Sequence, residues 1–170
     1  MDRLATLATA ARLRTKPTLQ AASACARLCE ELGIRPLAAD LDHNVHGLTA
    51  VAVDAPQDTT TLATLLAHGG ATARMHLYWL HRDLATIACY VRRRREHGDS
   101  SADALSHAYD TWLAPIHTLA MRAAFHVARK LIAPTDAAVD AAIASHAHLD
   151  LGEIERALDR IVLLVPTQHG

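Results

Sequence analysis

Apolar residues in this chain return at the spacing of a helical turn along nearly its whole length, and that periodicity limits the fold more than any other feature. No stretch alternates β-branched and aromatic residues with the two-residue period of a strand. Breakers are scarce, with 7 Gly and 6 Pro in 170 residues, whereas the helix formers Ala, Leu and Arg are abundant. The few breakers therefore mark helix boundaries. A first helix is expected over 3–13, with Leu4, Leu7, Ala8 and Ala11 on one stripe. Pro17 opens a second, which Gly33 closes after Leu32. Pro36 opens a third, to Val53; a short fourth covers Asp58 to Ala67 and ends at Gly69-Gly70; a long fifth runs from Thr72 to Glu96, ahead of Gly98. Ser101–Trp112, Pro115–Ile132, Thr135–Ser145 and Leu151–Leu164 complete the set. The expectation is an all-α bundle of about eight helices, a single domain over 1–170.

Composition narrows the function classes. Hydrophobic residues make up 51% of the chain, and a domain of this length buries roughly 70% of its unfolded surface, enough for a sizeable core. The 17 basic and 18 acidic residues balance, which argues against a nucleic-acid partner. No apolar run reaches the roughly 18 residues of a membrane-spanning helix, and the first residues lack the charged-then-apolar order of a secretory signal. Three cysteines make no disulfide framework, so a cytoplasmic, reducing setting is expected, with Cys25 and Cys29 as small buried residues one turn apart.

Motifs for covalent chemistry are missing. The 12 histidines include the close pairs His43/His46 and His146/His148, but none stands in an HExxH frame or beside a CxxC. There is no GxSxG elbow and no Gly-rich phosphate loop. No catalytic residue, metal or cofactor is expected. The basic run Arg92–Arg95 reads as a solvated helix end, with contact to an anionic lipid or nucleic acid as its alternative.

One polar set points to a ligand. Asp40 and Asn44 share a helix face beside the apolar Leu37, Leu41, Leu48 and Val51. A carboxylate and an amide next to an apolar surface suit a hydroxyl-rich ligand. Trp79, in Trp79-Leu80-His81-Arg82-Asp83-Leu84, offers an indole face for stacking on a sugar. The plainer alternatives are a core Trp79 and an Asp40 bonded to Arg82.

The order and gaps of these pieces resemble the glycolipid transfer protein family over roughly residues 20 to 145. Asp40 with Asn44, followed by an apolar run, is similar to that family's head-group helix. Trp79-Leu80-His81-Arg82-Asp83-Leu84 is similar to its Trp-Leu-x-Arg-x-Leu helix. Ala108-Tyr109, then His117 and Phe125 at successive eight-residue steps, follow its Ala-Tyr…His element, and Ala133-Pro134 its Ala-Pro segment.

The resemblance implies an all-α two-layer helical sandwich enclosing a hydrophobic lipid pocket. It implies a non-enzymatic carrier of a sphingolipid or glycolipid, monomeric and touching membranes only transiently. Asp40, Asn44 and Arg82 would hold the head group, Trp79 would stack on the first sugar, and His117 would hold the ceramide carbonyl. Leu41, Leu48, Met75 and Phe125 would line the tunnel for the acyl chains. There are departures. The family's head-group Lys falls at Gly47, and its membrane-docking Trp at Leu119. The branch that carries ceramide phosphate places Arg where Trp79 and Met75 stand, which disfavours a phosphate head group here. The rival readings are a lipid sensor or adaptor without net transfer, and a His-rich metal-dependent enzyme.

Overall fold

The computed structural model describes residues 13–55, 60–132 and 135–164. Seven α-helices account for most of them: α1 (Thr15–Glu31), α2 (Arg35–Asp54), α3 (Leu62–Arg92), α4 (Ser101–Trp112), α5 (Leu119–Ile132), α6 (Asp136–Ser145) and α7 (Leu151–Leu164). A π-helical turn, Arg93–His97, extends α3. Among the described residues the only β pairing is an isolated bridge between Arg14 and Thr61. The helix expected over 3–13 lies outside the described residues, save Leu13.

Local chemistry explains where the helices start. Pro36 sits in the first turn of α2, where its missing N–H has no helical acceptor to lose. Thr61 and Thr64 form a reciprocal capping box on α3. The Ser100 hydroxyl accepts from the Asp103 N–H at 3.2 Å, and the Asp150 carboxylate accepts from the Glu153 N–H at 3.0 Å. The expected start of α5 at Pro115 is displaced to Leu119. There the Thr118 hydroxyl accepts from the Met121 N–H and caps the helix, leaving 113–118 as turns that carry His117.

The break expected at Gly69-Gly70 is a kink inside one long helix. Gly70 takes φ 56° and ψ −130°, a conformation that glycine alone adopts readily, and the chain continues as α3 on both sides. The second part of α3 is the axis of the molecule. α3 packs on α1, α2, α4 and α7, while α2 also packs on α1 and α6 reaches α1. Leu41, Leu48, Leu62, Leu65, Leu77, Leu80 and Ile87 are fully buried between these helices. Cys25 and Cys29 are buried thiols as expected, and burial pushes Cys25 up to about 12.

The basic run at the end of α3 is solvated only in part: Arg92 and Arg95 are exposed, yet all four arginines have partners within the fold. Arg92 pairs with Glu155 of α7, and Arg93 with Asp99. Arg94 pairs with Asp140 at 2.6 Å and Asp136 at 3.3 Å on α6, and Arg95 donates to the Ile143 carbonyl at 3.2 Å. Four successive arginines thus fasten α6, α7 and the following turn to the end of α3.

Gly70→Ala tests the kink. No side-chain collision awaits a Cβ there, so the whole cost is backbone strain, about 1–3 kcal/mol. The expected result is a lower Tm with unchanged helical circular dichroism; an equal or higher Tm would mean that α3 straightens without penalty.

Candidate functional site

Two helix faces meet around a polar cavity. On α2, Asp40, His43 and Asn44 fall within one turn; on α3, Met75, His76, Trp79 and Asp83 recur at spacings of three and four. With His117 and Met121 they line a cavity of about 280 Å³. Trp79 is half-buried on its wall, with its ring edge-on to Tyr78.

Asn44 ties the two faces together. Its Nδ2 donates to the Asp40 carbonyl at 2.9 Å and to Asp83 Oδ2 at 3.2 Å, and its Oδ1 accepts from His76 Nδ1 at 3.1 Å. An amide has two donor hydrogens and two acceptor lone pairs. Both donors are therefore spent inside the protein, and Asn44 keeps only one lone pair for a ligand.

The electrostatics follow from burial. Asp83, 2% exposed, is pushed up to about 8 by desolvation and by the charge of Asp40, against the opposing bond from Asn44. It is therefore mostly a neutral carboxylic acid at neutral pH. Asp40 is raised by burial while His43 and His117 pull it down. His76 is lowered by burial and by His43; His117 is lowered by burial, with Asp40 opposing and Arg122 reinforcing.

A second cavity, of about 300 Å³, adjoins the first. Its walls are mostly apolar: Ile34 and Leu37, Leu105, Leu113, Ala124 and Phe125. The Phe125 ring stacks on Tyr109 with centroids 3.5 Å apart, and the Tyr109 hydroxyl bonds His117 Nδ1 at 2.9 Å. Asp40, His117 and Met121 line both cavities, so the polar space and the apolar one adjoin at these residues.

A family model, Glycolipid transfer protein (GLTP), matches residues 13–142. The chain belongs to the glycolipid transfer protein family. Its fold is similar to that of HET-C2, a fungal glycolipid transfer protein, with a TM-score of 0.69, 21% identity, and coverage of 89% of this chain and 79% of that one. Comparison with curated protein sequences finds no match. The family and the fold support glycolipid binding and transfer by this all-helical protein.

As a glycolipid transfer protein family member, the chain gathers Asp40, Asn44, Trp79 and His117 around one cavity. Other expected residues lie elsewhere. Arg82 lines neither cavity, being turned round α3 toward α4, where its guanidinium stands over Tyr78 and Trp112 and donates to the Trp112 carbonyl at 3.4 Å. That carbonyl, not Asp40, is its partner. Leu41 and Leu48 also line neither cavity, because they sit on the flank of α2 that is sealed in the core; Leu37 takes the place at the apolar wall. Met75 lines the polar cavity and Phe125 the apolar one. Sequence reasoning missed His43, His76 and Asp83. The signal available for the α3 pair was its helical spacing with Trp79. Among the described residues no group of three His, Cys, Asp or Glu is placed to hold a metal.

Gly47 has a specific structural reason. A Cβ at this position would collide with the imidazole of His76, which lies across α2 there. The position where the family carries Lys is thus filled from the neighbouring helix. Gly47→Ala would drive His76 off its bond to Asn44. Overpacking of about 1–3 kcal/mol should exceed the roughly 1 kcal/mol gained in helix propensity, lowering Tm. In a His76→Ala background the same change should raise Tm. Additive effects in this double-mutant cycle would show that the two residues do not compete for the space.

Proposed function

We propose that this protein carries a sphingolipid with a small uncharged sugar head group between membranes, making and breaking no covalent bond. The observation that carries the reading is the junction at Asp40, His117 and Met121, where a polar cavity meets an apolar one. A lipid taken from a bilayer needs both: each tail CH₂ left in water costs about 0.8 kcal/mol, and head-group polar atoms need partners once buried. Asp40 accepts from sugar hydroxyls and Trp79 stacks on the ring. The Tyr109 hydroxyl bonds His117 Nδ1; in the tautomer in which Tyr109 donates, the ring proton sits on Nε2 and bonds the lipid amide carbonyl at the junction. The tail follows Leu37, Leu113 and Phe125.

Among the described residues no Lys or Arg lines either cavity, so a phosphate head group would meet Asp40 with neither of these cations to offset it. A neutral sugar meets no such penalty. One chain forms both cavities, so the carrier acts as a monomer. Among the described residues no helix is long and apolar enough to cross a membrane. Membrane contact is peripheral and transient, through Leu119 and Met121, which are 83% and 47% exposed where α5 begins beside the cavities. The carrier works in the cytosol, where its cysteines, free thiols in the fold, stay reduced.

Transfer of a labelled monohexosylceramide between phosphatidylcholine vesicles tests the reading. Trp79→Ala should slow transfer at least about tenfold, the equivalent of a lost stacking contact, with circular dichroism and Tm close to wild type. A folded Trp79→Ala protein that transfers at the wild-type rate sinks the assignment of the head-group cavity. Leu119→Asp should weaken association with vesicles and leave affinity for a short-chain, water-soluble glycolipid unchanged. Equal vesicle association of variant and wild type would remove Leu119 from the membrane contact.

A further inference from the structure

Asp83 is the only Asp or Glu among the described residues whose side chain belongs to the buried set, and no described Lys, Arg or His forms an ion pair with it. An acid kept in the interior without a cation is costly unless it is neutral or has another partner. Asn44 occupies Oδ2. Oδ1 makes no hydrogen bond to a described residue, and Asp83 lines the polar cavity between His76 and Trp79 of its own helix and Asp40 of α2. Since Oδ2 accepts from Asn44, a proton on this carboxyl belongs on Oδ1, the oxygen left for the cavity.

We propose that Asp83 is a cargo-binding residue: its carboxyl, held through Oδ2 by Asn44, donates a hydrogen bond from Oδ1 to an acceptor oxygen of a neutral sugar head group. This rests on the lipid-carrier reading above. The two acids then act differently on one head group, Asp40 as acceptor and Asp83 as donor. His76 is a positioning residue, because its bond to Asn44 Oδ1 fixes which end of that amide meets Asp83.

The groups around Asp83 set what pH does to it. Asp40 and His43 face it from α2, His76 shares its helix, His117 comes from the turn before α5, and Cys29 of α1 lies within electrostatic reach. Neighbouring Arg82 is turned toward Trp112. His76 and His117 are held below their ordinary values and Cys29 well above its own. Asp83, at about 8, titrates between them. Above that pH it ionises, gains a charge beside Asp40 and stops donating. Affinity for a neutral glycolipid should therefore be level through neutrality and fall by about tenfold or more in all as pH rises through and beyond about 8.

The test measures binding of phosphatidylcholine vesicles carrying a monohexosylceramide, from neutral to alkaline pH, with Tm recorded at each pH. Wild type should lose affinity above the Asp83 transition. Asp83→Asn keeps an acceptor for Asn44 and offers a permanent N–H donor, so its affinity, whatever its value at neutral pH, should show no alkaline loss. Asp83→Leu lacks the donor and should bind about tenfold more weakly at neutral pH. An alkaline loss that persists in Asp83→Asn assigns the titration to another group and overturns the proposal. So does a flat wild-type profile, or an Asp83→Leu protein that melts earlier yet binds as wild type does. If Asp83→Leu does not fold, the Asp83→Asn profile decides alone. Binding by wild type that ignores Asp83 leaves the carrier reading standing without this residue; no binding by wild type at any pH removes both.

Discussion

A single buried amide, that of Asn44, joins the two helices that make the site. Through it α2 is tied to both His76 and Asp83 of α3, at 3.1 and 3.2 Å, on the buried wall of the polar cavity. At a buried position such a network specifies one alignment of two helices, since a slip by one turn would break its hydrogen bonds. The same contact requires the helices to come close, and Gly47 permits it by leaving room for the imidazole. Helix register and cavity shape therefore depend on one polar contact, while the protonation of Asp83 follows from its burial and from Asp40, against that contact.

The rest of the molecule keeps α3 straight and steady where it meets α2. Its first part turns away at Gly70, and its last turn is held by arginine pairs to α6 and α7. These ion pairs are partly exposed, and individually such pairs contribute little to stability. Their effect is one of placement: they fix two C-terminal helices against the end of α3. α5 is held differently. It borders both cavities through Met121 and Phe125, and it leaves Leu119 and Val127 in solvent. A carrier has to release its cargo, and low local packing is what allows an element to move at modest cost.

Much of this fold was legible in the sequence because helix formation is local. Capping residues such as Ser100 and Thr135, and the breakers Gly33 and Gly98, act within a turn of themselves, so α4, α6 and α7 fall where the pattern places them. Gly69-Gly70 was read as a break because glycine's backbone freedom is visible in sequence, but whether the chain then continues as the same helix depends on how Leu65, Leu66, Ala73 and Leu77 pack on either side of it.

The site divides in the same way. Asp40, Asn44, Trp79 and His117 were identified by their order and spacing, which a family resemblance preserves however the helices rotate. What each of them does could not be read there. Asn44 looks like a ligand-facing amide in sequence, yet its donors are spent on Asp40 and Asp83. Leu41 and Leu48 share a helix with Asp40 and belong to the core, because a rotation of a few tens of degrees decides whether an apolar side chain faces a cavity or a neighbouring helix. Arg82 adjoins Asp83 in sequence, but successive residues lie about a hundred degrees apart round the helix, so one faces Trp112 and the other the cavity. Sequence alone determined the helical class, the limits of the helices that are capped locally and the residue types available at the cavity, since those follow from interactions within a turn. Only the tertiary structure decided that Asp83 is a buried neutral acid and that His76 fills the space over Gly47, because burial and close approach are properties of two helices together.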